Sequence, residues 1–299
     1  MGSLSAKFSR SACPAGLPVY DSGIDPAGKK VALADVVGLA ARHADIVQIG
    51  DTNHFNTDGV IIPATSPSVL KAFQAAGGTD IAIEIPQDRS LILDAFEKDS
   101  IGTEEFKRRM HMNLIATQGN EKGQWTQQVV AIAEHAKTSG MKLHFADPQN
   151  GNAFCASDLS AKAFESCEVS RTNDRYQDEP LAAYLNEATS GKTLLVYGAN
   201  HFSVNNGSRE ALDGTLVKID TYANRMEYER SKDDLKFDNE RGITINDIKP
   251  DLIYFQDSST VHTTCATPDI LKKGIENLAS ASPTASQAPT TVKPTDWQP

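Results

Sequence analysis

The chain has 299 residues, 39% of them hydrophobic and 23% charged, with 39 acidic against 29 basic residues and a formal net charge of −10. That balance, with no clustered stripe of Lys and Arg, gives no expectation of binding to nucleic acid by counterion release; the short run Lys107-Arg108-Arg109 follows Glu104-Glu105 and reads as a solvated helix face. No run of about 18 apolar residues is present, so a membrane-spanning helix is not expected.

Residues 1–24 are rich in small residues and are expected to form a flexible leader. Met1-Gly2-Ser3-Leu4-Ser5-Ala6 shows no hydrophobic signal core, and Ala6 stands where Gly2 myristoylation needs Ser or Thr. The expectation is a soluble protein, cytoplasmic or exported without a general secretory signal.

From there short strand-like runs alternate with helical stretches, which predicts an α/β fold: a mostly parallel central sheet with helices on both faces, in one domain over residues 25–278. A helix is predicted over Lys30–Arg42, then a strand over Asp45–Ile49. Ser66-Pro67 opens a helix to Ala75 in cap-then-proline order, and Gly77-Gly78 closes it. A strand over Ile81–Ile85 stops at Pro86, and helices follow over Ser90–Lys98, Thr103–Leu114 and Gln124–Ser139. A strand over Lys142–Ala146 runs into Asp147-Pro148. A helix over Glu179–Thr189 precedes a strand over Thr193–Tyr197. Beyond Ser203 the pattern loosens: Thr215–Ile219 and Leu252–Phe255 read as strands, and Tyr228–Arg241 as a charged, mobile link. Residues 279–299, mostly Ser, Thr, Pro, Ala and Gln, are expected to be a disordered tail, since they cannot bury enough apolar surface to offset their ordering entropy.

Cys13, Cys155, Cys167 and Cys265 form no CxxC pair, which argues against a zinc knuckle or a thioredoxin-type motif. Cys155 and Cys167 are spaced for a local bridge, but without a signal segment free thiols are the expectation.

The informative polar residues sit where strands end. Gly50-Asp51-Thr52-Asn53-His54 follows the first strand, Glu84 lies inside the apolar second, Asp147 ends the third, and Gly198-Ala199-Asn200-His201 follows the fourth. If these strands are parallel, all the endings share the sheet edge where open α/β sheets bind ligands. Separately, Asp51 reads as a turn former and each His as an ordinary satisfied histidine; together on one edge they read as a site. Two imidazoles and two carboxylates suit either general-base catalysis or a site for zinc, manganese or iron, and their types alone do not choose. No GxSxG, HExxH, GxGxxG or P-loop motif competes.

These residues resemble the erythromycin esterase-like/ChaN-like superfamily, which includes TraB and TIKI proteins and domains of Pasteurella-type dermonecrotic toxins and bacterial effectors. The resemblance runs from about Asp45 to Phe202. It implies that Asp51, His54, Glu84 and His201 are site residues, with Asp51 in place of the family's usual Glu. It also implies an Arg before the helix preceding the last motif, for which Arg175 is chosen and Arg171 is the rival. On this reading His54 is a general base oriented by Asp51 or Glu84, His201 binds substrate or stabilises charge, and Arg175 holds an anionic or carbonyl group. Asn53, Asn200 and Asp147 are the candidate substrate-binding residues. The family divides into lactone-hydrolysing esterases without metal, metal-dependent proteases, haem binders and toxin domains. The expectation is therefore a hydrolase acting on a small molecule or a host protein, in the toxin or effector branch. The alternatives are a haem- or metal-binding pocket without turnover, and an effector acting through a protein partner. The cofactor is left open between none, a divalent metal and haem.

Overall fold

The computed structural model describes residues 24–25, 27–52, 61–113, 120–148, 178–199, 201–202, 207–240 and 250–281. An eight-stranded sheet forms the centre. Its strands are β1 (Lys29–Lys30), β2 (Ile46–Asp51), β3 (Gly78–Pro86), β4 (Lys142–Asp147), β5 (Lys192–Gly198), β6 (Leu216–Tyr222), β7 (Leu252–Phe255) and β8 (Thr260–Thr263), in the order β1-β8-β7-β6-β2-β5-β3-β4. β2 to β7 run parallel, and β8 is antiparallel to both β7 and β1. The α/β class and the parallel connections are those the alternating pattern predicts.

Helices cover both faces. α1 (Leu33–His43), a short turn α2 (Ile62–Ala64), α3 (Pro67–Ala75), α4 (Ser90–Glu97), α5 (Thr103–Asn113) and α6 (Asn120–Ser139) precede β4. α7 (Glu179–Ala188), α8 (Arg225–Glu240) and α9 (Asp269–Ser280) come after it. Along each strand alternate side chains point to opposite faces. Val47, Ile49, Ile81, Ile83, Ile85, Leu143, Phe145, Leu194, Val196, Val217 and Ile219 form one face and join a large core with α1, α3, α4, α5, α6 and α9. The other face carries a smaller cluster of Ile46, Ala82, Ala146, Leu195, Tyr197 and Leu216 against Leu181, Ala182 and Leu185 of α7. Gln48, Glu84, Lys218 and Asp220 have the parity of this second face. The connections towards β3 and β4 lie over the first face and the return through α7 over the second, as right-handed crossovers require.

Local signals account for most boundaries. Pro67 starts α3, and Gly77, at φ 91°, ends it in the left-handed conformation that glycine takes without strain. β2, between β5 and β6, is buried along its whole length.

The late part of the chain differs from the sequence expectation. Tyr228–Glu240, the described part of the expected mobile link, is helical, because residues 225–240 form α8. Its start is a shifted capping box: Asn224 Oδ1 accepts the Glu227 N–H at 2.9 Å, and Glu227 Oε2 reaches one residue past the cap to accept the Ala223 N–H at 2.6 Å. Arg225 and Lys232 both pair with Glu229, so charges that read as a solvated linker instead support a helix. β8 and α9 were not anticipated, and α9 continues to Ser280, past the point where the tail was expected to begin. Leu271 and Ile275 of α9 are buried. Cys265 is disulfide-bonded, which was not anticipated; the free-thiol expectation concerned Cys155 and Cys167. Cys13, Cys155 and Cys167 lie outside the described residues, as does the expected tail from 282 onwards. Among the described residues no helix is long and apolar enough to cross a membrane.

Replacing Asn224 by Ala removes the first acceptor of the capping box and should cost about 1 kcal/mol of stability, measured by chemical denaturation. An unchanged midpoint would show that α8 does not need its cap.

Candidate functional site

Because β2, β3, β4 and β5 are parallel neighbours, Asp51, Glu84, Asp147 and the turn after Gly198 all come to the same edge of the sheet. β5 lies between β2 and β3, so the Gly198–His201 segment leaves the sheet between Asp51 and Glu84. Asn53, His54, Arg171, Arg175 and Asn200 lie outside the described residues.

The turn is held from several sides. Glu84 Oε2 accepts the Gly198 N–H at 2.7 Å. The Gln48 amide donates to the carbonyls of Gly198 and His201, each at 3.3 Å. The Ala199 N–H donates to the Asp51 carbonyl at 2.8 Å, and Lys218 Nζ donates to the Ala199 carbonyl. His201 N–H closes the turn on the Gly198 carbonyl at 3.2 Å. Buried backbone polar groups have to be paired, and here strand side chains do much of the pairing that ladder bonds do elsewhere.

His201 itself is 4% exposed. Its Nδ1 lies 2.7 Å from Asp178 Oδ1, while Asp178 Oδ2 accepts the Phe202 N–H at 2.8 Å. An ionised carboxylate only accepts, so with Asp178 ionised Nδ1 is the donor, and in the neutral ring Nε2 then carries the lone pair. Tyr197 meets the imidazole edge-on, with ring centroids 4.7 Å apart. Phe202 has φ 50°, an uncommon backbone conformation for a bulky residue. Its fully buried ring in the second-face cluster and its bond to Asp178 hold it there. Local strain next to His201 is of the kind that surrounding structure tolerates at functional positions.

Behind the turn lies a buried charge cluster. Lys218 and Asp220 are both fully buried on β6, with Nζ 3.6 Å from Asp220 Oδ1. Asp251 Oδ2 accepts from Arg209 Nη2 at 2.5 Å and from the Lys218 backbone N–H at 2.8 Å. Burial lowers the Lys218 ammonium from its usual range, against the opposing pull of Asp220. Burial also pushes the Asp220 carboxyl up to about 6, with Lys218 acting the other way. Gly50 belongs to this cluster by having no side chain, since a Cβ there would stand 2.2 Å from Asp220 Oδ1.

Thus the described part of the site contains Asp51, Glu84 and His201 around one turn, with Asp147 further along the edge at the end of β4. Asp51 has the parity of Val47 and Ile49, the face opposite to Glu84, and meets the turn through its backbone carbonyl. Sequence reasoning missed Asp178, Gln48, Lys218 and Asp220. Asp178, ahead of Glu179-Pro180, looks like a helix cap, yet it makes no side-chain cap bond and holds His201 instead. The others did carry a signal: a polar residue inside Ile46-Val47-Gln48-Ile49, and charges two apart in Leu216-Val217-Lys218-Ile219-Asp220, hence on one face. Among the described residues no group of three His, Cys, Asp or Glu side chains is arranged to hold a metal ion.

No protein-family model matches the sequence, and comparison with curated proteins finds no match. Solved structures with a similar fold include the type III effector HopBA1, at 16% identity and a TM-score of 0.44, over 69% of this chain and 88% of that one. ChaN of Campylobacter jejuni, solved with cofacially bound haem, is 16% identical with a TM-score of 0.41, over 65% of this chain and 87% of that one. RRSP, a MARTX toxin effector domain from Vibrio vulnificus, is 14% identical with a TM-score of 0.40, over 67% of this chain and 40% of that one. Likeness at this level assigns no residue and no activity.

Gly50→Ala should destabilise the protein by about 1–3 kcal/mol, because the new methyl meets a buried carboxylate and the Ala199 backbone; equilibrium denaturation checks it. A second expectation concerns pH. Between 3.8 and about 6 the folded chain holds a proton on Asp220 that the unfolded chain has released. This contribution to stability is present at low pH and is lost as pH rises through that window, with a limiting slope of about 1.4 kcal/mol per pH unit. Asp220→Asn should flatten the dependence of thermal midpoint on pH over that range; an unaltered profile would show that Asp220 does not titrate there.

Proposed function

We propose that the chain is a hydrolase whose proton-transfer centre is His201 oriented by Asp178. The observation that carries this reading is the 2.7 Å contact between Asp178 Oδ1 and His201 Nδ1, on a turn whose backbone is held by Glu84, Gln48, Asp51 and Lys218. An imidazole with Nδ1 engaged takes a proton through Nε2 from water or a hydroxyl, and the carboxylate stabilises the imidazolium that forms. The activated oxygen then attacks a carbonyl of an ester, lactone or amide, the bond from that carbonyl to the leaving oxygen or nitrogen breaks, and the imidazolium returns its proton to the leaving group. Glu84 acts in this scheme by fixing the Gly198 N–H. The family resemblance adds His54 as a second proton-transfer or charge-stabilising group and Arg175 as an anchor for an anionic or carbonyl group. It also supports a substrate that is a small molecule or a host protein, in an effector setting.

A carboxylate-oriented imidazole is also how proteins hold a metal-bound or haem-bound histidine. The described residues offer no three-ligand metal cluster.

Purified protein should hydrolyse at least one member of a panel of esters, lactones, peptides and phosphoesters. His201→Asn and Asp178→Asn should each lower kcat by about 10²–10⁴-fold while circular dichroism stays native. Full turnover in either variant would sink the assignment. A Soret band on haem addition, lost in His201→Asn, with no turnover of any substrate, would replace it with a binding function. Retention of a biological effect in both variants would point instead to a partner surface.

A further inference from the structure

Lys218 and Asp220 stand among Leu216, Val217 and Ile219 on a central strand, with both side chains fully buried. The ion pair by itself contributes little to folding, because desolvating an ammonium and a carboxylate opposes their attraction. The pair therefore calls for a role other than stability. Lys218 Nζ donates to the Ala199 carbonyl, two residues before His201. Asp220 Oδ1 lies 3.6 Å from Nζ, in space left open by Gly50. Arg209 and Asp251 flank the pair, and the Asp178 that binds His201 also attracts the Lys218 ammonium electrostatically.

We infer that Lys218 is a positioning residue for His201, with Asp220 as the buried counter-ion that keeps its ammonium directed at the Ala199 carbonyl. The inference deepens the hydrolase proposal and rests on its reading of His201. Lys218 touches no substrate; it restrains the turn so that the imidazole stays in line with Asp178. Without it the Ala199 carbonyl loses its donor, the turn relaxes, and the Nδ1 contact lengthens. Displacements of about 1 Å in a catalytic group cost on the order of 10²-fold in rate.

The test reads the hydrogen bond directly. The His201 Nδ1 proton, held against a carboxylate, should give a downfield proton resonance, identified by its disappearance in Asp178→Asn. Lys218→Met alone leaves Asp220 as an unpaired buried carboxylate and risks failing to fold. The double variant Lys218→Met/Asp220→Leu removes both charges, so the only partner lost is the donor to the Ala199 carbonyl, and it should fold with a thermal midpoint lowered by that one orphaned group. In it the downfield resonance should shift or broaden away, and on any substrate turned over kcat should fall about 10²-fold with KM changed less than about threefold. A wild-type resonance in the folded double variant would overturn the inference, whether or not a substrate is known. A displaced resonance in a protein that hydrolyses nothing would uphold the positioning role while the hydrolase reading fails.

Discussion

The constraint on which the site depends is that a polar turn has to be buried between two strand ends. Gly198–His201 leaves the sheet between β2 and β3, where ladder bonds no longer satisfy its backbone. Each backbone group that lacks water there needs a donor or acceptor from the protein, or it costs the full desolvation of an orphaned polar group. Glu84, Gln48 and Lys218 meet that need from three strands, and Asp178 meets it at Phe202. Polar residues inside otherwise apolar strands are the consequence.

That requirement divides the two faces of the sheet. One face is almost wholly apolar and joins most of the helices in the large core, which supplies the hydrophobic stabilisation of the fold. The other gives up apolar area to Gln48, Glu84, Lys218 and Asp220 and keeps a smaller cluster under α7. Gly50 marks where the arrangements meet: the absent side chain in β2 is filled by the Asp220 carboxylate of β6. The glycine of the strand-end motif thus answers to a residue far from it in sequence.

Rigidity is what such a turn offers chemistry. An imidazole whose ring is fixed by a carboxylate, whose backbone is bound on both sides and whose neighbour Phe202 is held at φ 50° has little freedom left to lose on binding a reactant. Preorganisation of this kind lowers a barrier because reorientation has been completed during folding.

Much of the architecture is legible without coordinates. Alternating strand and helix periods, Pro67 and Gly77 at the ends of α3, and strands that stop near Gly50, Pro86, Asp147 and Gly198 follow from local chemistry that acts over a few residues. The shared edge of Asp51, Glu84 and His201 was readable too, since parallel strands joined by helices put their endings on one side. Helix α8 was misread although Asn224-x-x-Glu227 spelled its start, because charge content was weighed above capping. What only tertiary structure decided is partnership between distant residues. Asp178 looks the same whether it caps its own helix or binds His201, and the choice was made by where the β5 turn lands. Lys218 and Asp220 acquired a role when β6 paired with β2 and set them beside Gly50 and Ala199. Local propensity is a property of neighbours along the chain, whereas a buried charge finds its counterpart only once the sheet has assembled.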